Sequence, residues 1–583
     1  MGLVANPTLV CGDGPVAAAL VASLTRLGRA VRQVGPRDLT RRRLGRATTL
    51  ILADPADPLD LLDQVLALSV GRGSGRSPLH LTLAHLGACP QPLPEALAHP
   101  AASDRVQMEI CALEARGARA LLAAHPPHAG FDPLFGQVPH LLIVGATSPA
   151  LALLGQAMRL AHYGEGRAQF TLAVDLPDTW RAEVLAAYPQ AEQSCALRFT
   201  DLGAPDLAGT AAVNGVWVLV DPPETGLDLA RALGAGVRQA QGVTPPIYLD
   251  VGAVAPMGGI DAWDGQLVPV SWLGAACRDL LAGQGDRLAQ VIHEHYRDTT
   301  EAQGRDPALE PAGRPWELLD GSYRDASRYQ ADHLWAKLAA TDCRTLPLAA
   351  APAFAFAPLE VERLAQVEHR RWAADRHLNG WTYAPVRDNA LRHHPQLIPY
   401  ADLSEPMKDL DRFVVRLVPT LLARSGLAVV RGLVLGVAEA DPATSGSAGR
   451  RTRRLVEACL GRLRERFPDR GLVLATTLAD PFSRLVAARA LDGFDAALWL
   501  LCHKPVTELL AAEPQAAARL DLLRLVARAE RRIELPGRMG LEDWLQRRAQ
   551  VLLLPGDAPA PAVPGRQVRV DPAGNGLSWG FEY

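Results

Sequence analysis

Apolar and polar positions alternate between two periods along most of this chain. Short apolar runs read as strands. Each is followed by a stretch with apolar residues three and four apart, which reads as an amphipathic helix. The first run is Thr8-Leu9-Val10-Cys11; a glycine turn, a helix over Val16 to Leu27 and a strand over Ala30 to Val34 follow. Further strands are predicted at 49–52 and 79–83, and a helix from about Val106 to Ala124 closes the unit before Pro126-Pro127. The pattern restarts with a strand at His140–Val144, a helix over Ala150 to His162, and strands at 170–175, 216–220 and 247–249. Repeated strand–helix alternation predicts parallel sheets covered on both faces. The chain therefore opens with two tandem α/β units, over 1–130 and 138–270.

From about Trp272 the helical period takes over, with helices at 286–298 and 322–340 inside a helical region over 271–350. An Ala/Pro-rich linker follows, and its Phe354 and Phe356 predict that it packs on something. A small all-α module is predicted over 358–422. The last unit, 427–583, returns to α/β, with strands at 432–437, 471–475, 497–502 and 551–554 and helices at 450–466 and 481–490. The fold class is α/β: tandem parallel sheets, a small helical module and a C-terminal α/β domain.

Composition narrows the function. The 583 residues suit three to five domains at roughly 100–200 residues each. A net charge of −3 supplies no basic field, so nucleic acid is not an expected partner. None of the eight Cys forms a CxxC pair, which predicts reduced core thiols, no disulfide framework and no metal site. No apolar run reaches the roughly 18–20 residues of a membrane helix, and no signal peptide precedes the first strand. The expectation is a cytoplasmic protein that is not membrane-embedded.

Gly12-Asp13-Gly14-Pro15-Val16-Ala17 is a G-x-G-x-x-A pattern between a strand and a helix. Gly12 suits the tight turn, Gly14 allows backbone to approach a pyrophosphate, and Ala17 allows close helix–strand packing. The acid expected after the second strand is missing, and Arg37 stands nearby, suited to a 2′-phosphate. The second unit has the opposite pattern. Gly145 is followed by Thr147 and Pro149 rather than further glycines, while Asp175 stands where a ribose-binding acid belongs. Each turn reads either as a nucleotide site, for NAD(P) or another nucleotide, or as a purely structural turn.

Val367-Glu368-His369-Arg370-Arg371-Trp372 is followed by Asn379-Gly380-Trp381-Thr382-Tyr383 and by His394-Pro395-Gln396-Leu397-Ile398-Pro399-Tyr400. Glu368 and Trp372, four apart, share a helix face. Clustered Trp, Tyr and His suit stacking on a flat ligand, with Arg371 or Arg387 near its phosphates. The alternative is that a module of about 60 residues uses its aromatics as core. This stretch resembles the ryanodine-receptor (RyR) domain. The resemblance implies ligand or protein binding, through Glu368, His369, Trp372, Trp381, Tyr383, Arg387, Pro399 and Tyr400, and no catalytic role.

The tandem units, with Ala118-Arg119-Ala120-Leu121-Leu122, His125-Pro126-Pro127 and Ser327-Arg328-Tyr329-Gln330-Ala331-Asp332-His333, resemble TrkA-type NAD-binding domains fused to RyR modules. Leu435-Gly436-Val437-Ala438-Glu439 and Leu478-Ala479-Asp480-Pro481-Phe482-Ser483 resemble a degenerate SLOG-like Rossmann domain. These resemblances imply a nucleotide-sensing or regulatory protein, in signalling or antiviral defence, with a nucleotide-type ligand, a protein partner and a homodimer as the default assembly. Two alternatives are an NAD(P)-dependent oxidoreductase or nucleotide hydrolase, and a regulatory subunit of potassium transport. No pair of catalytic groups with evident geometry emerges from the sequence.

Overall fold

The structure, a computed structural model, describes residues 8–69, 77–87, 106–222, 225–252, 266–283, 285–350, 353–439, 449–535, 537–556, 566–571 and 576–580. The first sheet contains β1 (Thr8–Cys11), β2 (Val31–Val34), β3 (Thr49–Ala53), β4 (Leu79–His85) and β5 (Val106–Ala112), in the order β2-β1-β3-β4-β5. All its pairs are parallel. The helix expected from Val106 begins instead at Leu113. The seven preceding residues pair in full register with β4 as an edge strand, because a free edge offered by β4 outweighs the helical spacing of a short apolar run.

The second sheet contains β6 (His140–Val144), β7 (Gln169–Val174), β8 (Ala196–Asp201), β9 (Gly215–Val218), β10 (Ile247–Asp250) and β11 (Leu267–Val270). Its order is β11-β10-β9-β6-β7-β8, again all parallel. This is the doubly wound order, and it reverses between β6 and β9, where such sheets open a crevice at their C-terminal edge. The flanking strands β8 and β11 carry polar residues and proline and were not predicted from the pattern.

Two helices are exchanged between the units. The Leu113–Ala124 helix, which follows the first sheet, buries Ala118, Leu121 and Leu122 against Leu141 and Ile143 of the second. The Trp272–Ala282 helix, which follows the second sheet, buries Leu273, Ala276 and Cys277 with Val10, Val16 and Leu20 of the first. Each buried leucine contributes roughly 1.5–3 kcal/mol, so neither unit is closed without the other.

Charge ties the helical region to this pair. Arg119 bonds Asp332 and Asp286, and Arg328 holds Asp286 from the opposite side. Close guanidinium partners hold the Asp286 carboxyl well below the usual range despite its burial. The helix expected over 322–340 is two helices, Gly321–Asp332 and Leu334–Ala339, broken at His333. β12 (Cys343–Pro347) follows. Phe356 is buried with Val361 and Leu364, as the linker's aromatics predicted.

The helical module is an antiparallel pair, Pro358–Leu378 and Glu405–Arg424, with a loop containing the two-residue strands β13 (Thr382–Tyr383) and β14 (His393–His394). The C-terminal sheet contains β15 (Leu427–Val437), β16 (Arg470–Thr476), β17 (Ala497–Cys502), β18 (Arg531–Glu534), β19 (Val551–Pro555), β20 (Arg566–Asp571) and β21 (Gly576–Trp579). They run in the order β18-β17-β16-β15-β19-β20-β21. β12 pairs antiparallel with the first half of β15, so the chain on either side of the module joins one sheet. The seven described cysteines are free and buried. Cys89 lies outside the described residues.

Candidate functional site

The Pro358–Leu378 helix divides its residues between two tasks. Pro358 occupies its first turn, where no N–H is needed, and the Glu360 carboxylate accepts the Ala357 N–H at 2.9 Å. Gly380, at φ +77°, lets the chain turn away past its end. Residues Glu362, Gln366, His369, Ala373 and His377 recur at three- and four-residue intervals and form one face. That face is a wall of a cleft of about 870 Å³. Arg370 borders it, and the loop residues Trp381, Tyr383, Pro399 and Tyr400 line it as well. The facing wall comes from the second α/β unit, through Gln190 and Gln193.

The opposite face of the helix is structural. Glu368 is 3% exposed and Lys337 fully buried. Its carboxylate is 2.7 Å from Lys337 Nζ and 2.7 Å from Arg371 Nη2. The neighbouring cations hold this carboxyl at about 2 although burial opposes it. Lys337 Nζ also donates to His333 Nδ1 at 3.0 Å, and His333 Nε2 donates to the His162 carbonyl at 3.0 Å. Glu368 and Arg371 thus lie behind the cleft.

His369 lines the cleft with its ring, while both its nitrogens are occupied. Nε2 donates to the Ile398 carbonyl at 2.8 Å, and Nδ1 lies 3.2 Å from Asp411 Oδ2. A carbonyl only accepts, so Nε2 carries a hydrogen, and Nδ1 faces the Asp411 carboxyl. Burial pushes the Asp411 carboxyl up. Trp372 stacks on His369 at 5.6 Å and meets His394 edge-on at 4.9 Å, so it supports the wall from behind. Arg387 is exposed and bonds Asn389.

Among the described residues, ring faces, glutamine amides and the Arg370 and Lys408 cations line the cleft. Tyr383 is 57% exposed. Lys408 Nζ lies 5.7 Å from the Tyr400 ring centroid and 3.3 Å from Glu405. Glu362 is held by Arg412 at 2.6 Å and by the Tyr400 hydroxyl at 3.1 Å. His377 Nδ1 is 3.0 Å from Ser194 Oγ, and burial lowers its pKa. The structure thus brings His369, Trp381, Tyr383, Pro399 and Tyr400 together. It places Glu368, Trp372 and Arg387 outside the cleft. Gln366, Arg370, His377, Lys408 and the two glutamines were not picked out from the sequence. The polar spacing over 362–377 was the available signal for three of them.

The two glycine turns differ. Gly12 (φ +143°) packs against β3, since a Cβ there would lie 2.7 Å from the Ala53 carbonyl oxygen. Among the described residues nothing lies within 4 Å of a Cβ at Gly14, Ala17 is fully buried, and Asp13 and Arg37 are exposed. Among the described residues no side chain caps the helix that follows. At Gly145 (φ +108°) a Cβ would lie 2.4 Å from the Leu219 carbonyl oxygen. Thr147 caps its own helix through the Ala150 N–H and donates to Leu219 O at 2.9 Å. Ser148 Oγ and the Gly87 N–H both donate to Glu114, at 3.2 and 2.7 Å. A carboxylate of the chain itself therefore sits at this second turn, where a phosphate would repel it. Asp175 is exposed after β7.

Residues 359–431 match the family model of the RyR domain. Among solved structures, a putative aspartate carbamoyltransferase from Leishmania major Friedlin is similar over 47% of this chain and 81% of that one, at 13% identity and a TM-score of 0.27. The ornithine carbamoyltransferase from Pyrococcus furiosus is similar over 48% of this chain and 84% of that one, at 11% identity and a TM-score of 0.24. No described helix is long and apolar enough to cross a membrane.

Proposed function

We propose that this chain is a ligand-sensing regulatory protein whose RyR domain reads a flat, hydrogen-bonding small molecule. The cleft between the Pro358–Leu378 helix and the second α/β unit carries the proposal. Its exposed rings, glutamine amides and Lys408 suit stacking and hydrogen bonding. Its acid–base groups are already engaged, His369 by Ile398 and Asp411 and Glu362 by Arg412. That arrangement favours recognition over turnover. Because two domains build the walls, occupancy favours one relative placement of them, which is what a sensor requires.

A nucleotide is the ligand class we assign to the tandem units, as in TrkA-type domains. Of the two turns, the first offers the better fit to a phosphate: among the described residues nothing crowds Gly14 and no side chain caps the helix behind it. NAD(P) would supply a redox or signalling nucleotide there, with Gly12 and Gly14 shaping its phosphate loop and Arg37 near its ribose. Nucleotide-based signalling, including antiviral defence, is the setting this reading favours.

The test is mass spectrometry of small molecules released from the purified full chain, joined to thermal shift with NAD, NADP, ATP, ADP-ribose and cyclic nucleotides. A stabilising nucleotide is expected. Its effect should vanish in Gly14→Asp if the first turn binds it, or in Tyr383→Ala if the cleft does. No released molecule and no shift across the panel would sink the reading.

A further inference from the structure

A second cavity, of about 710 Å³, opens where the second α/β unit, the helical region and the C-terminal unit meet. Leu122, Leu160, Leu267 and Leu338 give it an apolar lining. It also has flat ring walls. His125 lies tilted on Tyr248 with centroids 4.7 Å apart, and Trp217 stacks on Tyr248 at 4.2 Å. Burial lowers the pKa of His125 to about 4, so at neutral pH it contributes a ring and no charge.

Cations outnumber carboxylates around this space. Arg531 and Arg532 enter from β18 and Arg344 from β12. Asp332 at the cavity edge is already held by Arg119 at 2.8 Å and by Gln156 at 2.8 Å. Glu530 lies 3.5 Å from Arg344. Arg531 is 3% exposed, and its guanidinium lies 4.3 Å from the Trp499 ring centroid. Its Nε and Nη1 have no hydrogen-bond partner among the described residues. Buried guanidinium donors left unmet oppose folding. Arg531 lines the apolar, ring-walled cavity, so a small turn of its guanidinium would bring these covered donors to an incoming anion.

We propose that this cavity binds a flat, largely apolar small molecule carrying one anionic group, with its ring against Tyr248 and His125 and its anion on Arg531. Phosphate and carboxylate share the required chemistry. Three parts of the chain line the cavity, so such a ligand would clasp the C-terminal unit to the second α/β unit. The site is separate from the RyR-domain cleft and does not depend on it.

The experiment titrates 1-anilinonaphthalene-8-sulfonate, a flat aromatic anion, into the full chain and reads its fluorescence. Saturable binding is expected. Arg531→Met keeps an apolar side chain on Trp499 and should weaken binding at least tenfold without lowering the melting midpoint, since it removes unmet donors. Ala527→Trp fills the exposed mouth and should block binding, which keeps the test decisive if Arg531→Met fails to fold. Met539→Ala, at an exposed position that lines neither cavity, should bind as the native chain does. Competition by adenosine 5′-monophosphate or by 1-naphthoate would support the site and show which anion it prefers. The proposal is overturned if both cavity variants bind within twofold of the native chain, or if uncharged adenosine competes as well as its monophosphate.

Discussion

Replacing Glu368 by Gln keeps the shape of the side chain and deletes its charge. Lys337 and Arg371 would then be two buried cations with no anion between them. Breaking a buried pair in this way costs about 3–5 kcal/mol, because the surviving charge has left water without compensation. The carboxyl's own displacement gives a similar figure. A group held at about 2 in place of 4.5 favours its ionised form by about 3 kcal/mol. Because this folded value is depressed, the stabilisation is present above pH 4.5 and is lost as pH falls through about 2. A chain of several domains does not unfold in one step, so the assay is native-state hydrogen exchange over 334–339 and 358–378. Glu368→Gln should lower protection there by about 3 kcal/mol or more. Adding Lys337→Met should recover part of that loss, since one stranded cation is gone. A loss under about 1 kcal/mol would refute the reasoning and place the pair in the range of surface ion pairs.

Three further predictions concern pH and domain attachment. Burial holds His128 and His333 well below their ordinary pKa and His125 and His162 at about 4. The unfolded chain binds protons more readily below pH 6.5, so the midpoint of the first urea transition should fall between pH 7 and 5, and a flat profile would contradict this. Glu534 acts in the other direction. Burial raises it to about 7, so its contribution is lost as pH rises from 4.5 through 7, and Glu534→Gln should raise the midpoint at pH 8 but not at pH 4. Asp132, fully buried, accepts from Trp544 Nε1 at 2.9 Å and Arg548 Nε at 2.7 Å, and Arg548 also holds Asp342. Asp132→Ala should cost about 3–5 kcal/mol and expose the C-terminal unit to limited proteolysis; unchanged digestion would count against it.

Strands buried on both faces were legible because they are continuous apolar runs: β6, β16 and β17 emerge as the sequence predicts them. Strands such as β5, β8 and β18 were not, because their polar residues follow from where a neighbour leaves an edge open, which is a non-local fact. The exchange of the two helices is invisible for the same reason: nothing in the Leu113–Ala124 stripe says which sheet it will cover. The aromatic and proline motifs pointed to the loop that lines the cleft. Adjacent residues were harder to assign. His369 and Arg370 reach the cleft while Glu368 and Arg371 face Lys337, and a helix rotated by one residue would exchange them. The partner of a buried carboxylate, 31 residues away at Lys337, cannot be read from spacing.

The pairing of β12 with β15 has a mechanical consequence. Cys343 to Pro347 run antiparallel to Arg431 to Leu427, and the Leu348 N–H bonds the Gly426 carbonyl at 3.0 Å just beyond them. The RyR domain is therefore the tip of a hairpin, with both of its ends pinned to adjacent positions on one rigid sheet. A domain strung between two distant points can slide and stretch. One pinned at both ends to a single spot can only swivel about it. Any movement that opens the cleft against the second α/β unit is then a rotation, and a small change of angle at the sheet becomes a larger displacement at Tyr383, on the far loop.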